Sequence, residues 1–332
     1  MWRDELARQA GASGAVGVGG SGAPWLSILI PVYNVAPSLR LCVDSVLGQL
    51  PGEGVEVILL DDASTDRSLS ICEELAEAHA PLVHLLAHER NRCLSAARNT
   101  MLEAARGEYV WFVDSDDEML PGAIAGLRGV LDEHSPDLVL CDYLKGGKHL
   151  RSFAGPEKIL IEDCETVVQG VFASRRMHTW TKIARRTLWG SDLRFPIGRC
   201  YEDMATTPWL FLRARSAYYV PSPWMFYRTR ADSITASVGR VRNQFDEAKN
   251  DDVAGALVGF ASAARDALPE ISPPTIYCMA QFCTKEFTKI AWRLLRACAL
   301  KEGWGTVGPK LRGGRSALGV KFRPAYVPGR RK

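Results

Sequence analysis

Apolar and polar positions along the first half of the chain follow a strand–helix rhythm. Five short runs rich in branched aliphatic and aromatic residues are typical of buried strands, and they occupy 27–30, 56–60, 82–86, 108–113 and 137–141. Between them, apolar residues recur at intervals of three and four, which predicts amphipathic helices. Strands that alternate with helices in this way form a parallel sheet through right-handed crossovers. The pattern therefore predicts an α/β fold with a Rossmann-like, mainly parallel sheet and flanking helices.

The pattern is less regular in the second half. Helices are predicted over 163–173 and 201–213, short strands over 218–220 and 225–227, and mostly helical structure over 241–300. In the first half, the helix that begins at Leu94 is predicted to end at Gly107, since glycine is favoured just past a helix C-terminus. We predict three regions: a flexible, Gly-rich tail over 1–24, an α/β domain over 25–238 and a helical, basic extension over 239–332.

Composition places the chain among ordinary globular proteins. Hydrophobic residues make up 47% and charged residues 24% of the 332 positions. No run reaches the roughly 18 apolar residues of a spanning helix, and the first residues lack the apolar core of a secretory signal. The nine cysteines include no C-x-x-C pair, which favours a reducing cytoplasm over a disulfide framework or a zinc site. His84 and His88 have the spacing of a helical metal pair but fall across a predicted strand end, which disfavours a metal site there.

Charge is distributed unevenly along the chain. The net charge is +3, yet residues 285–332 contain 13 Lys/Arg against two Asp/Glu. A basic segment on an acidic body predicts an anionic partner, and we favour a phospholipid surface over nucleic acid, for which no recognition motif is present. Apolar positions from Phe287 to Cys298 recur at helical spacing. This stretch is either a helix packed on the main domain or a membrane-surface helix.

The sharpest chemical feature is the acidic segment that follows the fourth predicted strand. Asp114, Asp116 and Asp117 would repel one another unless a cation or another positive group compensates their charge. Carboxylate oxygens are hard ligands that select Mg²⁺ or Mn²⁺, ions that bridge to substrate phosphates. The alternative is an acidic turn that caps the helix predicted to start near Pro121, where Asp is also favoured.

Further motifs follow the other predicted strands in a fixed order. They are Ser27 to Asn34, Val57 to Asp66, Asn91 to Asn99, Val113 to Asp117, then Trp180, Lys182, Arg194, Phe195 and Tyr201 to Asp203, and finally Tyr227, Arg228 and Ser233 to Thr235. Together they resemble the motifs of the family-2 glycosyltransferases, which have the GT-A fold. In the same order, the motifs of that family are an opening strand and loop, D-D-x-S-x-D, N-x-G-x-S-x-A-R-N, D-x-D, W-x-K with R-F and E-D, and Y-R-x-R-x-x-S-I-T. One departure is Cys93, which stands where the family usually has glycine.

The resemblance implies a nucleotide-sugar donor site at the strand ends. Pro31, Val32 and Tyr33 would line the nucleotide base, and Asp62 would accept a hydrogen bond from its uracil-like edge. An Asp after a strand end can accept from a ring N–H, and a tyrosine offers a packing face. Arg98 would reach the donor diphosphate or pair with the acidic strand ends.

The resemblance also implies a metal ion, Mn²⁺ or Mg²⁺, and one catalytic base. Asp116 is the leading metal ligand with Asp117 as a second candidate, while Asp114 would bind the donor through its ribose or through metal-bound water. Asp203 would deprotonate the acceptor hydroxyl, with inversion at the anomeric carbon, and Glu202 and Asp192 are the next carboxylates to consider. Arg228 and Lys182 would help to neutralise the diphosphate or would form surface salt bridges.

The function that these motifs imply is inverting transfer of a sugar, from a UDP-sugar in first place, to a hydroxyl of a glycan or lipid-linked acceptor in cell-surface polysaccharide synthesis. The enzyme would work in the cytoplasm or at the inner face of the membrane. A sugar-1-phosphate nucleotidyltransferase is the first alternative. Such an enzyme requires a glycine-rich phosphate loop after the first strand, whereas the loop of this chain, Pro31 to Asn34, contains no glycine. An inactive transferase-like scaffold is disfavoured because Asp62, Asp116 and Asp203 are all present.

Overall fold

The fold is described by a computed structural model of the chain. It describes residues 23–199, 201–229, 247–267 and 271–299. Four of the predictions concern other residues: the tail over 1–22, the boundary between 238 and 239, the motif residues Ser233 to Thr235, and the basic segment beyond 299. These lie outside the described residues and stay predictions.

Ten strands form one mixed sheet in the described part of the chain. They are β1 (Leu26–Val32), β2 (Val55–Asp61), β3 (Val83–Ala87), β4 (Tyr109–Phe112), β5 (Glu118–Met119), β6 (Leu138–Lys145), β7 (Lys148–Leu150), β8 (Leu160–Ile161), β9 (Lys182–Arg185) and β10 (Ala217–Tyr227). The main order is β3-β2-β1-β4-β9-β6-β10-β5, with β7 paired to β6 and β8 paired to β10. The longest pairings, β1 with β2, β2 with β3, β1 with β4 and β6 with β10, are all parallel. The predicted α/β class with a mainly parallel sheet is confirmed.

The centre of the sheet departs from the expected pattern at two strands. β9 lies between β4 and β6 and is antiparallel to both. Its four residues are too short for a periodic signal, and the sequence did not predict it. β10 joins the two strands predicted over 218–220 and 225–227 into one, with register shifts around Pro223. Proline has no N–H to donate to the ladder, which accounts for the interruption.

Eight helices surround the sheet in the described residues. They are α1 (Ala36–Leu47), α2 (Ser68–Ala78), α3 (Cys93–Ala104), α4 (Ala123–His134), α5 (Cys164–Ser174), α6 (Glu202–Arg213), α7 (Glu247–Ala267) and α8 (Pro273–Ala299). The predicted cap of α3 at Gly107 is wrong, because the helix ends at Ala104 and the next residue, Ala105, is extended. Gly107 instead permits a close approach, since a Cβ there would lie 2.5 Å from the Ser27 amide nitrogen.

The sheet is buried on both faces because successive side chains of each strand point to opposite sides. On one face, Ile28 and Ile30 of β1 and Trp111 of β4 pack against α1, α2 and α4. On the other face, Leu29 and Phe112 pack against α3, α5, α6, α7 and α8. Truncating a side chain as buried as Phe112 would cost about 3–5 kcal/mol of folding free energy.

The C-terminal helices share this second core layer. α8 packs on α5, where the Phe172 and Phe282 rings meet edge to face at 5.1 Å and the Gln169 amide donates to the Thr275 hydroxyl at 2.7 Å. Phe287 and Ile290 also pack against the core. For the described part of α8 the helix is therefore packed on the main domain. Within the described residues, no helix has the length and apolar character needed to cross a membrane.

Candidate active site

The candidate site lies where three parallel strands end. β1 is flanked by β2 and β4 and runs parallel to both, so Tyr33, Asp62 and Asp114 emerge at the same edge of the sheet. The Asp62 amide donates to the Val32 carbonyl at 2.8 Å, which extends the ladder into the loops. Ligands of open α/β sheets bind at such an edge. The sheet topology therefore brings the separate motifs together.

The loop after β1 offers one open aromatic ring. Pro31 and Val32 are the last residues of β1 and are buried, whereas Tyr33 is 46% exposed. The Asn34 side-chain carbonyl accepts from the Thr65 amide at 2.7 Å and so ties this loop to the one after β2. Of the three residues predicted to line a nucleotide base, Tyr33 is the one whose side chain is accessible, and the role of the three stays a prediction.

Asp62 is held by a partner that the sequence analysis did not assign. Its side chain is nearly inaccessible, and its Oδ1 accepts from His88 Nδ1 at 2.6 Å and from the Arg92 amide at 2.9 Å. The other ring nitrogen of His88 lies 3.0 Å from the Thr100 hydroxyl. His88 directly follows β3, the neighbour of β2, and this position was the available signal. The histidine is thus a positioning residue for Asp62.

Cys93 takes the conformation expected of glycine. Its φ of 67° lies in the left-handed region that glycine favours. The Asn91 side-chain carbonyl accepts from the Cys93 amide at 3.2 Å and supports this turn into α3. The departure from the family motif therefore leaves a glycine-like backbone in the loop.

Three carboxylates form a compact oxygen cluster, which we call the acidic triplet. Each of Asp114, Asp116 and Asp117 contributes one carboxylate oxygen, and these three oxygens lie within 4.8 Å of one another. Asp117 is buried and accepts from the Arg228 amide at 2.9 Å. None of the three caps α4, since that helix begins at Ala123 with Gly122 as its N-cap and without a side-chain cap. The capping alternative is therefore wrong, and the hard oxygen set fits Mg²⁺ or Mn²⁺.

Arg98 joins this triplet to the predicted base. Its guanidinium is 1% exposed and donates to Asp114 at 3.0 Å, to Glu202 at 2.9 Å and to Asp203 at 2.7 Å. The rings of Phe112 and Phe195 lie 5.7 and 5.2 Å from its guanidinium carbon. A buried guanidinium requires such partners because an unpaired buried charge is strongly unfavourable. The structure thus shows the ion-pair alternative for Arg98, and its predicted contact with the donor stays a prediction.

The carboxyls around Arg98 differ in their proton affinity. Burial raises the pKa of Glu202 to about 7, with a further increase from the nearby Asp203 charge. Burial also acts to raise the pKa of Asp203, but Arg98 and the hydrogen bond from Thr179 outweigh it and lower this pKa below its usual value. Burial raises the pKa of Asp114 to about 6 against the opposing effect of Arg98. Asp203 is therefore the more acidic member of the Glu202–Asp203 pair.

Asp203 is anchored yet partly accessible. It lies in the first turn of α6, and the Thr179 hydroxyl and amide donate to its two oxygens at 2.5 and 3.4 Å. Its side chain keeps 20% of its surface exposed, so its carboxylate is accessible from solvent. Asp192, considered as a further base, is instead bound by both terminal nitrogens of Arg213 at the surface, which disfavours it.

The roles of Lys182 and of Arg228, which pairs with Glu118, at the diphosphate stay predictions. Lys182 is buried rather than at the surface. Its ammonium is buried and donates to the Arg176 carbonyl at 2.5 Å and to the Thr181 hydroxyl at 2.7 Å. Burial lowers the pKa of Lys182 to about 7, and the Asp203 charge opposes the shift. The residue supports the loop that carries Thr179 and forms no surface salt bridge.

A family model now identifies the chain. The model of glycosyl transferase family 2 matches residues 27–198, which is more than half of the 332 residues. The chain belongs to glycosyl transferase family 2. The membership that the motifs indicated is thereby confirmed. Of the residues that form the site, Glu202, Asp203 and Arg228 lie outside the matched segment.

Relatives and solved structures agree with this membership. Glycosyltransferase GlyA of Streptococcus pneumoniae is 29% identical over 223 residues, which cover 63% of this chain but 31% of GlyA. The structure of S. aureus TarS 1–349 in complex with UDP-GlcNAc has a TM-score of 0.68 at 22% identity, over 89% of this chain and 79% of that chain. The mannosyltransferase PcManGT of Pyrobaculum calidifontis, in complex with GDP-Man and Mn²⁺, has a TM-score of 0.56 at 19% identity, over 96% and 87%. These structural likenesses confirm the GT-A fold.

Proposed function

We propose that this family-2 chain is an inverting glycosyltransferase. It transfers a sugar from a nucleotide-diphosphate donor, a UDP-sugar in first place, to a hydroxyl of a glycan or lipid-linked acceptor in cell-surface polysaccharide synthesis. The observation that carries the proposal is the bridge through Arg98, whose guanidinium bonds both Asp114 of the acidic triplet and the ionised Asp203. A leaving-group site and a base are thereby held within one hydrogen-bonded network.

The base side of the reaction uses Asp203. Its carboxylate takes the proton of the acceptor hydroxyl as the acceptor oxygen bonds to the anomeric carbon. The bond from that carbon to the diphosphate oxygen breaks, and the nucleoside diphosphate leaves from the opposite face, so the configuration inverts. Arg98 and Thr179 keep Asp203 ionised and oriented, since both donate to its Oδ1.

The donor side uses the ends of β1, β2 and β4. Tyr33 would pack against the nucleobase, and the Asp62 carboxylate, oriented by His88, would accept from a ring N–H. Asp116 and Asp117 would hold Mn²⁺ or Mg²⁺, which neutralises charge on the leaving diphosphate, and Asp114 would bind the ribose or metal-bound water. The complexes of TarS with UDP-GlcNAc and of PcManGT with GDP-Man and Mn²⁺ support this class of donor and metal.

A panel of donors tests the proposal directly. Release of nucleoside diphosphate from UDP-, GDP- and dTDP-sugars should be measured with Mn²⁺, with Mg²⁺ and with EDTA. We expect turnover of one donor class, strongest for a UDP-sugar, that EDTA stops and added metal restores. Turnover that persists at full rate in EDTA would exclude a required metal, and release of pyrophosphate from a nucleoside triphosphate would favour the nucleotidyltransferase.

We further propose that the enzyme works in the cytoplasm or at the inner face of the membrane, where residues 285–332 bind an anionic surface. The proposal rests on their 13 Lys/Arg against two Asp/Glu. The full chain should sediment with phosphatidylglycerol vesicles but not with phosphatidylcholine vesicles, and less at high salt. Changing Arg330, Arg331 and Lys332 to Gln should weaken sedimentation, whereas the matched change of Arg40, Arg67 and Arg90 should not. Equal effects of the two triple changes would contradict the proposal.

A further inference from the structure

A second group of side chains lies beside the base, at the ends of β6 and β10. β6 is antiparallel to β9, and β9 is antiparallel to β4, so β6 and β4 run in the same direction. β10 is parallel to β6, with Tyr227 aligned with Lys145 at the last position of both strands. Lys145 and Tyr227 therefore lie at the same edge of the sheet as the acidic triplet.

Aromatic rings form the floor of this region. The His178 ring stacks on Trp180 at 5.0 Å with an angle of 8°, and Trp180 in turn stacks on Tyr227 at 6.0 Å. Tyr143 meets both His178 and Trp180 edge to face, at 5.9 and 4.8 Å. His178 and Tyr227 are partly exposed, whereas Trp180 and Tyr143 are buried beneath them. The two partly exposed rings give this region an aromatic surface.

Two cations stand over this floor. Lys145 Nζ lies 4.0 Å from the centre of the Tyr227 ring, and the Arg176 guanidinium carbon lies 6.0 Å from the centre of Tyr143. Within the described residues, neither cation has a carboxylate at ion-pair distance. Asp142, which lies in β6 with Lys145, is buried and accepts hydrogen bonds from His149, Tyr219 and Ser152. We call Lys145, Arg176, His178 and Tyr227 the cationic surface.

The cationic surface borders the base. His178 and Trp180 flank Thr179, whose hydroxyl and amide hold Asp203. Burial and the charges of Lys182, Arg176 and Lys145 lower the pKa of His178 to about 4, against the opposing effect of Asp203. His178 is therefore neutral at pH 7 and can accept or donate a hydrogen bond. The exposed Lys145 and the half-buried Arg176 provide the positive charge.

We infer that the acceptor of this enzyme carries a phosphate group, which Lys145 and Arg176 bind while a nearby hydroxyl of the acceptor reaches Asp203. The inference rests on the proposed glycosyl transfer. An acceptor that is anionic would be repelled by Asp203 and the acidic triplet unless cations beside the base compensate, and a neutral sugar would need no such cations. The phosphate can belong to a phosphodiester-linked glycan or to a lipid carrier.

Direct binding tests the inference. Glycerol 3-phosphate in solution and a polyprenyl phosphate in phosphatidylcholine vesicles represent the two sources of phosphate, and glycerol is the neutral reference. Binding is measured by calorimetry or sedimentation with saturating UDP and Mn²⁺, which fill the donor side. The test protein is Lys145→Gln/Arg176→Gln. The matched control, Lys148→Gln/Arg175→Gln, removes the same charge from exposed neighbouring positions.

We expect wild type and control to bind a phosphate probe, and the test variant to bind it about 10- to 100-fold more weakly, the usual effect of losing charge-assisted hydrogen bonds. Tighter binding of glycerol 3-phosphate would identify the acceptor as a phosphodiester-linked glycan. Tighter binding of the polyprenyl phosphate vesicles would identify it as a lipid carrier. No binding of either probe by wild type, or equal weakening in both double variants, would overturn the inference. UDP binding by the same proteins tests the proposed function separately. If wild type does not bind UDP, the donor assignment is refuted, and binding of the phosphate probes can still be measured.

Discussion

The acidic triplet and the cationic surface lie at the same edge of the sheet, but they are built in different ways. The triplet comes from four consecutive positions after β4, whereas the cationic surface draws on β6, β10 and the loop before β9. The triplet is acidic and compact, while the cationic surface combines two cations with stacked rings. Arg98 and Asp203 lie between them. A contiguous motif thus forms the proposed metal site, and dispersed residues form the side we assign to the acceptor.

The largest expected loss of activity follows from changing Asp203, which lies between the two regions. Asp203→Asn keeps the shape of the base and removes its capacity to take a proton, so kcat should fall about 10²–10⁴-fold while UDP affinity changes little. Glu202→Gln is the matched control, because the raised pKa of Glu202 makes it substantially protonated near neutral pH, and its effect should be much smaller. Proton NMR of the wild-type product should show inversion. Retention, or equal losses in the two variants, would show that Asp203 is not the base.

The next effect tests the acidic triplet itself. Asp116→Ala removes one of three clustered oxygen ligands, and turnover should fall by at least about 10²-fold, the order seen when one electrostatic stabiliser of a transition state is lost. Asp132→Ala removes a carboxylate that pairs with Arg128 on the surface of α4 and should retain activity. Initial rates over a Mn²⁺ titration measure both. A variant at Asp116 with wild-type rate and wild-type metal dependence would remove it from the metal site.

The third effect concerns the nucleobase. Asp62→Ala should weaken UDP binding by about 1–3 kcal/mol, because it leaves the ring N–H of the bound nucleobase without its hydrogen-bond acceptor. The Asp62 carboxylate also holds His88 and the Arg92 amide, so the loop before α3 loses its anchor as well. Calorimetry with UDP measures the change, and Glu53→Ala on the exposed turn before β2 is the control. An unchanged affinity would contradict the assignment.

The smallest expected effect is on the pH dependence of stability and concerns the buried Lys182. Burial lowers the pKa of Lys182 to about 7, whereas an unfolded lysine keeps its proton to a pH of about 10. Between these values the unfolded state binds more protons, so the free energy of unfolding should rise with pH, by at most about 1.4 kcal/mol per pH unit. Lys182→Met should remove this rise and the exposed Lys148→Met should keep it. Guanidinium denaturation at pH 7 and pH 9 distinguishes them, and equal slopes in all three proteins would show that Lys182 does not titrate there.

The site was predictable where its chemistry follows directly from local order. Asp62 and Asp114 come immediately after apolar strands, and the carboxyl ends of parallel strands meet, so both could be placed at one edge from the sequence. His88 also follows a strand, but nothing in its immediate neighbours indicates that its ring reaches Asp62 across 26 positions. Lys182 was expected at the surface or on the diphosphate, and nothing in its immediate neighbours indicates that its ammonium is buried.

The sequence by itself determined the strand–helix alternation, the family motifs and the edge of the sheet where they gather, because apolar periodicity and residues adjacent to a strand are local properties. Only the tertiary structure decided which charges meet. Arg98 reaches Glu202 and Asp203 across 104 and 105 positions, and β9 enters the sheet between β4 and β6 in the antiparallel sense. Contacts over such separations depend on how the chain packs and leave no periodic signal in it, which is also why the cationic surface appears only in the folded protein.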